Sequence, residues 1–491
     1  MSDTISAIPE IMSNARLAFE KYSRVSAGKR AVFLETIAEE IENKREALVN
    51  LANLETNLPL PRLNGEIGRT TGQLKMFANL IKEGSWVEAV IDLPDAERVP
   101  AKPDTRKMLV PLGPVIVFGA SNFPFAFSTA GGDTASALAS GSTVVIKGHP
   151  AHAKTSEMVF EAIQIAIKKC EIPENTVQHV PGDSHETGKA LVMHPLSTAV
   201  AFTGSQAGGK ALIEYARQRE IPVPVYAEMS SINPVVLLPE TLGSNTTSLA
   251  KTFAGSVTLG MGQFCTKPGL FFALKGENLN QFILLLLEEL KLISKHKMLH
   301  EGIAQAYEKL LQHLGTQQEV SFLSDSEKFT EEMKPEAIIA KVKAESFLKN
   351  PGLSEEIFGP YALIVECEDL NELKSALKSL KGQLTATIMG TDQDFDLHAD
   401  IIELQTSLAG RVILNAAPTG VEVCASMVHG GGYPSTSDEK FTSVGSSSIK
   451  RWVRPVCFQG FRNNMLPDAL KNENPLGIWR IIDNKFTQKT I

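Results

Sequence analysis

The spacing of apolar residues divides the chain into a helical beginning and a longer part in which strands and helices alternate. Over residues 10–85, apolar positions recur at helical spacing with charged residues between them, which predicts amphipathic helices. From residue 114 onward, short runs rich in β-branched residues alternate with amphipathic segments. The runs are PVIVFG (114–119), STVVIK (142–147), VQHV (177–180), TAVAFTG (198–204) and VPVYAE (223–228). This alternation predicts a parallel sheet with helices on both faces, and therefore an α/β fold.

A second α/β unit is predicted from about residue 229. Its apolar runs again alternate with helical segments, and they are PVVLL (234–238), LFFAL (270–274), YALIVE (361–366), ATIMG (386–390) and RVILN (411–415). The tail from about residue 440 contains SIKRWVRPVCFQGF, which is predicted to be an isolated strand. An isolated strand needs a partner, and a neighbouring subunit could provide one. We therefore predict three parts, residues 1–228, 229–435 and 436–491.

Composition narrows the class of protein. The 491 residues carry 48 Lys and Arg against 56 Asp and Glu, a net charge of −8, which disfavours a nucleic acid or an anionic membrane as partner. No apolar run approaches the ~18 residues of a membrane span, and the first residues lack the core of a signal peptide. The five cysteines are widely spaced with no CxxC pair, which argues against disulfides and structural zinc. We expect a cytoplasmic protein without a bound metal.

One cysteine stands in a setting that suits chemistry. Cys265 lies in GMGQFCTKPG, between glycines that let the backbone turn tightly. Two interpretations are open at this point: a nucleophilic thiol, or a buried thiol that packs as a small hydrophobe. The second is the more common state of a free cysteine, because reactivity needs a special environment.

Two predicted strand ends carry residues that suit a dinucleotide. FTGSQAGG (202–209) follows an apolar strand, so Gly204 would allow a close backbone approach and Ser205 would cap a helix that favours a pyrophosphate. Lys147 ends the strand in VVIKGHP, where it could bind a ribose hydroxyl or a phosphate. An ordinary capped turn and a lysine that reaches solvent are the alternatives. The absence of a carboxylate in KGHP, with Lys147 and His149 present, favours NADP over NAD.

Six segments in this order resemble the aldehyde dehydrogenase superfamily, over nearly the whole chain. They are GASNFPFAFS (119–128), VVIKGHPAH (144–152), FTGSQAGG (202–209), AEMSSINPVVL (227–237), GQFCTKPG (262–269) and EEIFGP (355–360). The chain is most similar to the 2,5-dioxovalerate (α-ketoglutarate semialdehyde) dehydrogenases, a subgroup close to NADP-dependent fatty-aldehyde dehydrogenases. The resemblance implies a Rossmann-type cofactor domain over residues 1–228 and an α/β catalytic domain over 229–435. It also implies an oligomerisation arm over 436–491, which joins the sheet of a partner in a homodimer or homotetramer.

The resemblance implies a role for each residue that falls on a family motif. It makes Cys265 the nucleophile, Glu228 the general base and Asn122 the residue that binds the oxyanion. It also places Lys147 at the adenosine ribose and Gly204 and Ser205 at the pyrophosphate turn. Glu356 and Phe358 are implied to position the nicotinamide and its ribose.

The sequence departs from the usual family pattern in three places. Met229-Ser230-Ser231 follows the predicted base, where leucine and two glycines are more usual, so the local backbone differs. Lys267 stands two residues after the predicted nucleophile, where a neutral residue is expected. Pro150 stands where NADP-using relatives often carry a hydroxyl residue, and PGDSHETGK offers no arginine for the 2′-phosphate, which leaves His185 as the alternative.

The residues that would select the aldehyde are less well defined by the sequence. Phe123, in NFPFAF, could line a substrate tunnel, although alternating aromatic residues more often belong to a core. A substrate with a carboxylate needs a cation at the far end of its pocket, and Lys267, Arg451 and Arg454 are the candidates. Pairing at the surface or at a subunit interface is the alternative for the two arginines.

These features predict NAD(P)-dependent oxidation of a small-molecule aldehyde to a carboxylic acid, with NADP preferred and NAD possible. A cysteine thiolate adds to the aldehyde, the alkoxide expels a hydride, and water hydrolyses the resulting thioester. The predicted substrate is 2,5-dioxopentanoate. The alternatives are a fatty or general aliphatic aldehyde, acyl transfer to CoA, a plain thiol hydrolase, and a binding protein that has lost the chemistry. Glu228 favours hydrolysis over CoA transfer, and a carboxylate suits this role if partial burial raises its pKa toward the working pH.

Overall fold

Four helices form the N-terminal part of the protein. The computed structural model describes residues 2–324 and 333–491. Its first elements are α1 (Ser2–Tyr22), α2 (Ala27–Asn43), α3 (Arg45–Thr56) and α4 (Leu60–Glu83), followed by two strands, β1 (Val90–Asp92) and β2 (Thr105–Pro111). Helix α4 ends at Gly84, whose left-handed φ of 87° closes the last turn. The helices confirm the prediction for residues 10–85.

A five-stranded parallel sheet follows, and its strands lie where the apolar runs predict them. The strands are β3 (Val115–Phe118), β4 (Val144–Lys147), β5 (Val177–Val180), β6 (Ala199–Thr203) and β7 (Val225–Glu228). The helices between them are α5 (Gly132–Ser140), α6 (Ala153–Lys169), α7 (His185–Met193) and α8 (Gln206–Arg217). The order β5-β4-β3-β6-β7 is that of a Rossmann-type sheet, with the switch point between β3 and β6. Helices α2, α5 and α6 bury one face, and α1, α7 and α8 bury the other.

The second sheet confirms the second α/β unit. Its strands are β8 (Val235–Leu237), β9 (Leu270–Leu274), β10 (Ser321–Phe322), β11 (Ile338–Lys343), β12 (Tyr361–Cys367), β13 (Gln383–Met389) and β14 (Ala409–Leu414). The order is β10-β11-β12-β9-β8-β13-β14, and only the β10 edge is antiparallel. The accompanying helices are α9 (Pro239–Ser244), α10 (Thr246–Thr258), α11 (Glu277–Lys291), α12 (Glu301–Gly315), α13 (Ala344–Lys349), α14 (Leu370–Lys378), α15 (Asp392–Leu397) and α16 (Ala399–Leu408). In the described part of the chain, no helix has the length and apolar character that a membrane crossing requires.

A third sheet combines two strands from the N-terminal half of the chain with three strands from its C-terminal tail. Its C-terminal strands are β15 (Val453–Gln459), β16 (Arg480–Ile482) and β17 (Lys485–Thr487), and the order is β15-β2-β1-β16-β17. The prediction of an isolated strand in SIKRWVRPVCFQGF is wrong, because β15 pairs antiparallel with β2 over its full length. Since this sheet takes strands from both sides of residue 228, the predicted domain boundaries stay a prediction.

Candidate active site

Glycine shapes the loop that carries Cys265. Gly260 and Gly262 have φ values of 56° and 64°, a left-handed conformation that glycine adopts without strain. A Cβ on Gly262 would lie 2.2 Å from the carbonyl oxygen of Gly359. The backbone of the cysteine loop therefore touches the backbone of EEIFGP, the segment predicted to hold the nicotinamide ribose.

Two asparagine side chains hold this loop. Asn233 Nδ2 donates hydrogen bonds to the carbonyl oxygens of Cys265 at 2.8 Å and Lys267 at 3.0 Å. Asn122 Nδ2 donates to the carbonyl oxygen of Gln263 at 3.0 Å. Asn122 follows the carboxyl end of β3, so the fold brings the predicted oxyanion donor from the first sheet to the segment just before the cysteine.

Glu228, the last residue of β7, lies in a buried network with a residue that the sequence did not single out. The residue is 3% exposed, and its Oε1 accepts a hydrogen bond from Nε2 of His429 at 2.8 Å. Its Oε2 accepts from the hydroxyl of Ser443 at 2.7 Å. Sγ of Cys265 lies 3.4 Å from the same His429 nitrogen. The structure thus brings the predicted nucleophile and the predicted base to one histidine.

His429 lies in a glycine-rich loop that packs tightly on the second sheet. A Cβ on Gly431 would lie 2.0 Å from the carbonyl oxygen of Gln383, and one on Gly430 would lie 2.6 Å from that of Phe441. A histidine followed by three glycines was the signal that the sequence offered. Such a pattern marks close backbone packing, but it does not name the partner of the histidine.

The pKa values of the thiol and the carboxyl are shifted in opposite directions. Burial alone would raise the pKa of Glu228, but the charge and hydrogen bond of His429, with hydrogen bonds from Ser443 and Cys265, hold it below its usual value. Burial and the Glu228 carboxylate raise the pKa of the Cys265 thiol well above its usual value. The resting site is therefore a protonated thiol beside an ionised carboxylate. The condition of a raised pKa for Glu228 is not met, because its partners outweigh burial.

Three side chains of metal-ligand type meet at this point. One ligand atom from each of Glu228, Cys265 and His429 lies within 4.8 Å of the others. Carboxylate, thiolate and imidazole are the groups that bind zinc. Here, however, the carboxylate and the imidazole are hydrogen-bonded to each other, and a thiol must lose its proton before it ligates. The prediction that no metal is bound stays a prediction.

The predicted ribose site combines a buried lysine with a neutral histidine. Lys147 is 8% exposed, and its Nζ donates hydrogen bonds to the carbonyl oxygens of Gly148, at 3.0 Å, and Gly182. Burial lowers the pKa of Lys147, and the charge of Asp183 raises it. Burial lowers the pKa of His149 to about 3, so this imidazole is uncharged. Asp183 thus brings to Lys147 the carboxylate that KGHP itself lacks.

The predicted pyrophosphate turn has the geometry that a dinucleotide needs. The Ser205 hydroxyl accepts a hydrogen bond at 3.2 Å from a backbone N–H in the first turn of α8. A Cβ on Gly204 would lie 2.6 Å from the ring of Phe202, so the turn leaves no room for a side chain. The α8 N-terminus and Lys147 stand at the ends of strands on either side of β3. These residues fit a dinucleotide at the switch point of the sheet.

Lys267 is buried, and its charge acts on the half-buried Glu356. Lys267 is 2% exposed, and its Nζ donates to the carbonyl oxygens of Ile357 at 3.1 Å and Tyr361 at 2.9 Å. The Glu356 carboxylate accepts hydrogen bonds from the Ser230-Ser231 segment. Burial raises the pKa of Glu356 to about 7 and lowers that of Lys267 to about 8. These contacts speak against the predicted role of Lys267 on a substrate carboxylate.

The other predicted substrate residues have different surroundings. Nη2 of Arg451 lies 2.6 Å from Oδ1 of Asp133, so its charge is already paired in the interior. Arg454 is exposed on the edge strand β15. The ring of Phe123 lies 5.4 Å from that of Phe264, the neighbour of the cysteine, which is compatible with a wall of the substrate site. Phe358 is half-buried in the EEIFGP loop.

Comparisons with known proteins agree with this geometry. The profile of the "Aldehyde dehydrogenase family" matches residues 2–451. The chain is 46% identical over 472 residues to "Alpha-ketoglutaric semialdehyde dehydrogenase 2" of Azospirillum brasilense, covering 96% of this chain and 90% of that protein. It is 41% identical over 488 residues to "Alpha-ketoglutaric semialdehyde dehydrogenase" of Acinetobacter baylyi, covering 99% and 92%.

A solved structure gives the same result for the fold. The NADP-dependent glyceraldehyde-3-phosphate dehydrogenase of Bacillus halodurans, complexed with NADP, superposes with a TM-score of 0.78 at 20% identity. The match covers 93% of this chain and 91% of that one. With its sheets, its cysteine loop and its match over residues 2–451, the chain belongs to the aldehyde dehydrogenase family.

Proposed function

We propose that this aldehyde dehydrogenase oxidises 2,5-dioxopentanoate to 2-oxoglutarate, with NADP as the preferred cofactor. The observation that carries the proposal is the approach of Cys265, His429 and Glu228 to within 4.8 Å, because a nucleophile in contact with a base is what the chemistry needs. The choice of substrate is supported by the two relatives at 46% and 41% identity, both of which are named for this semialdehyde.

The first step activates the cysteine. The thiol of Cys265 transfers its proton to Glu228, which lies within 4.8 Å and passes the proton on to solvent, and the thiolate attacks the aldehyde carbon. His429 donates a hydrogen bond to Glu228 and lies 3.4 Å from the sulfur, so it orients both groups. The Asn122 amide stabilises the alkoxide that forms, and the loss of one such donor typically costs about 3 kcal/mol of transition-state stabilisation.

The second step releases the acid. Glu356 and Phe358 would hold the nicotinamide ring and its ribose, and the bound cofactor would supply the acceptor for the hydride that leaves the carbon attached to Cys265. The thioester left on Cys265 is then attacked by water. Glu228 takes the proton of this water, and its own contacts with His429 and Ser443 fix the carboxylate in place.

The charges of Lys147 and Asp183 act in opposite directions on the 2′-phosphate that distinguishes NADP from NAD. Lys147 and the capped start of α8 support binding of the ribose and the pyrophosphate. Lys147 also supports a 2′-phosphate, whereas Asp183 repels one and His149 is uncharged. We therefore propose that NADP is bound without a strict requirement for its phosphate.

We also propose that β15 joins two copies of this chain in a homodimer. The strand lies at the edge of the third sheet, and within residues 2–324 and 333–491 its one partner is β2. An unpaired sheet edge can accept a further strand. Light scattering of the purified protein tests this, because a mass of one chain at micromolar concentration contradicts the proposal.

Initial rates test the proposed reaction. We would measure NADPH and NADH formation with 2,5-dioxopentanoate and with hexanal, using Cys265→Ala as control. The proposal expects a Cys265-dependent, NADP-linked preference for the keto acid. A preference for hexanal moves the protein to the fatty aldehydes, and a product that appears as acyl-CoA when CoA is added contradicts hydrolysis. Ester hydrolysis faster than aldehyde oxidation, without any dinucleotide, contradicts the dehydrogenase reaction.

A further inference from the structure

Three arginines near the cysteine loop have guanidinium nitrogens without a partner. Arg62 and Arg69 lie seven residues apart on α4, and therefore on the same face of the helix, while Arg411 lies on β14. The atoms concerned are Nη1 of Arg62, Nε and Nη2 of Arg69, and Nε of Arg411, all buried without a hydrogen-bond partner in the described residues. None of the three forms an ion pair with a carboxylate in that part of the chain.

Arg62 is tied directly to the reaction centre. Its Nη2 donates a hydrogen bond to the backbone oxygen of Asn122 at 2.5 Å. Its guanidinium lies 4.9 Å from the ring centre of Phe123 and 4.7 Å from that of Phe264, the residue just before Cys265. A cation over two aromatic faces is held in a fixed position, and one of its nitrogens remains unpaired.

Arg69 and Arg411 both donate hydrogen bonds to the loop of residues 418–421, which contacts the cysteine loop. Arg69 Nη1 donates to the carbonyl oxygen of Val421 at 2.5 Å, and Arg411 donates to those of Pro418 at 2.5 Å and Gly420 at 2.9 Å. The N–H of Gly420 donates to the hydroxyl of Thr266, the residue after Cys265, at 3.2 Å. The guanidinium of Arg69 also lies over the ring of Phe127, which packs near His429.

Burial and neighbouring charges act on these arginines in opposite directions. Burial lowers the pKa of all three arginines, and the neighbouring Cys265 raises it in each case. The charge of Glu66 acts on Arg62 and Arg69; its Oε1 accepts hydrogen bonds from the backbone N–H groups of Phe125 and Ala126, and its Oε2 is buried without a hydrogen-bond partner in the described residues. Arginine keeps its charge even when buried. Three arginines with unpaired guanidinium nitrogens therefore lie near enough to Cys265 for their charges to act on it.

We propose that Arg62, Arg69 and Arg411 bind the carboxylate of the substrate, so that the site selects semialdehydes of dicarboxylic acids. This inference rests on the proposed function and extends it to the residues that recognise the far end of the substrate. In a five-carbon semialdehyde the carboxylate lies only a few bonds from the carbon that Cys265 attacks. Its oxygens supply the acceptors that the guanidinium nitrogens lack, in charge-assisted hydrogen bonds. The three arginines take the place of Lys267, Arg451 and Arg454, whose surroundings speak against this role.

Substrates that differ only in the carboxylate test this assignment. We would measure kcat/KM for 2,5-dioxopentanoate, 5-oxopentanoate and pentanal in the wild type, Arg69→Met and Arg69→Lys. Arg16→Met is the matched control, since Arg16 also lies over a phenylalanine ring but on the exposed surface of α1. Calorimetric titration with glutarate gives a binding readout that needs no turnover, and urea denaturation shows whether each variant is folded.

We expect Arg69→Met to reduce the preference for 5-oxopentanoate over pentanal roughly 10- to 100-fold, as for the loss of a hydrogen bond to a charged group. Glutarate binding should weaken by a similar factor, and Arg69→Lys should fall between the wild type and Arg69→Met. An equal loss for 5-oxopentanoate and pentanal would overturn the proposal, because it would mean that Arg69 acts on the Cys265 thiolate instead. If the wild type prefers 5-oxopentanoate to pentanal but does not oxidise 2,5-dioxopentanoate, the proposed substrate fails while the carboxylate site stands.

Discussion

The charged groups on the two sides of Cys265 are satisfied to very different degrees. On the base side, both oxygens of Glu228 accept hydrogen bonds, from His429 and Ser443, and only Nδ1 of His429 is buried without a partner in the described residues. On the arginine side, Arg69 alone has two buried nitrogens without a partner. Since a buried donor without an acceptor destabilises the fold, the second side is complete only when an anion is present. The base is therefore fixed by protein contacts before substrate binds, whereas the unpaired arginine nitrogens gain their acceptors only when an anionic substrate binds.

The largest effect should come from removing the base, Glu228. Glu228→Gln removes the base but keeps a side chain of the same shape, and we expect kcat to fall roughly 10²- to 10⁴-fold. Steady-state rates with saturating aldehyde and cofactor measure this change. Thermal unfolding of the same variant serves as control for folding. A fall of less than about tenfold would mean that His429, not Glu228, takes the proton.

A second prediction contrasts the buried Arg451 with the half-buried Arg69. Arg451→Met leaves the carboxylate of Asp133 buried without its partner, so we expect the free energy of unfolding to drop by about 3 kcal/mol. Arg69→Met removes two donors that had no acceptor together with one hydrogen bond to the carbonyl oxygen of Val421, so we expect stability to stay within about 1 kcal/mol of the wild type. Urea denaturation of both variants measures the difference. Equal destabilisation would show that the arginines at the site are structural, as Arg451 is.

The Lys267–Glu356 pair should make the stability of the folded protein depend on pH. Glu356 has its pKa raised to about 7, so the folded state binds more protons than the unfolded chain between the ordinary 4.5 and 7, and stability falls as pH rises. Lys267 has its pKa lowered to about 8, so between 8 and 10.5 the unfolded chain binds more protons, and stability rises with pH. The stability supplied by the pair should be lowest between pH 7 and 8.

The double variant Lys267→Met/Glu356→Gln removes both titrations. Relative to the wild type, it should gain on the order of 1–2 kcal/mol between pH 5 and pH 7.5, because one pKa unit corresponds to about 1.4 kcal/mol. Urea denaturation at the two pH values gives this difference. Parallel stability profiles of the two proteins would contradict the assigned shifts.

The smallest expected effect concerns the cofactor. Asp183→Asn removes a negative charge that acts on Lys147, so we expect the preference for NADP over NAD to rise about 3-fold, a modest change because the position is exposed and screened. The ratio of kcat/KM for the two cofactors measures it. Glu186→Gln, an exposed carboxylate on the following helix, is the matched control. An unchanged ratio would place the 2′-phosphate away from Asp183.

Much of the fold could be predicted because each strand shows its own local pattern. Strands β5 and β9 begin and end at the predicted residues, since a buried parallel strand is a continuous apolar run between turns. Strand β15 was found, but its partner was not. The pairing with β2 joins segments far apart in the chain, and alternation within one segment does not identify the other.

The site was predictable where a short motif carries the chemistry, and not where distant segments meet. Cys265 and Glu228 stand in recognisable stretches, whereas His429 lies 164 residues from the cysteine that it contacts. Lys267 was assigned to the substrate because it is close in sequence, but the backbone after Cys265 turns it into the interior. Arg69 sits in an amphipathic helix, where its unpaired nitrogens become visible only once α4 is packed against the cysteine loop.

The third sheet has a consequence for biosynthesis. Strand β2 is made early, but its partner β15 leaves the ribosome about 340 residues later. At translation rates of about 5–20 residues per second, the edge of β2 therefore waits for roughly 15 to 70 s without the strand that covers it. Exposed strand edges pair with other chains. Translation speed and chaperone supply should accordingly affect the yield of this protein more than the stability of its finished fold does.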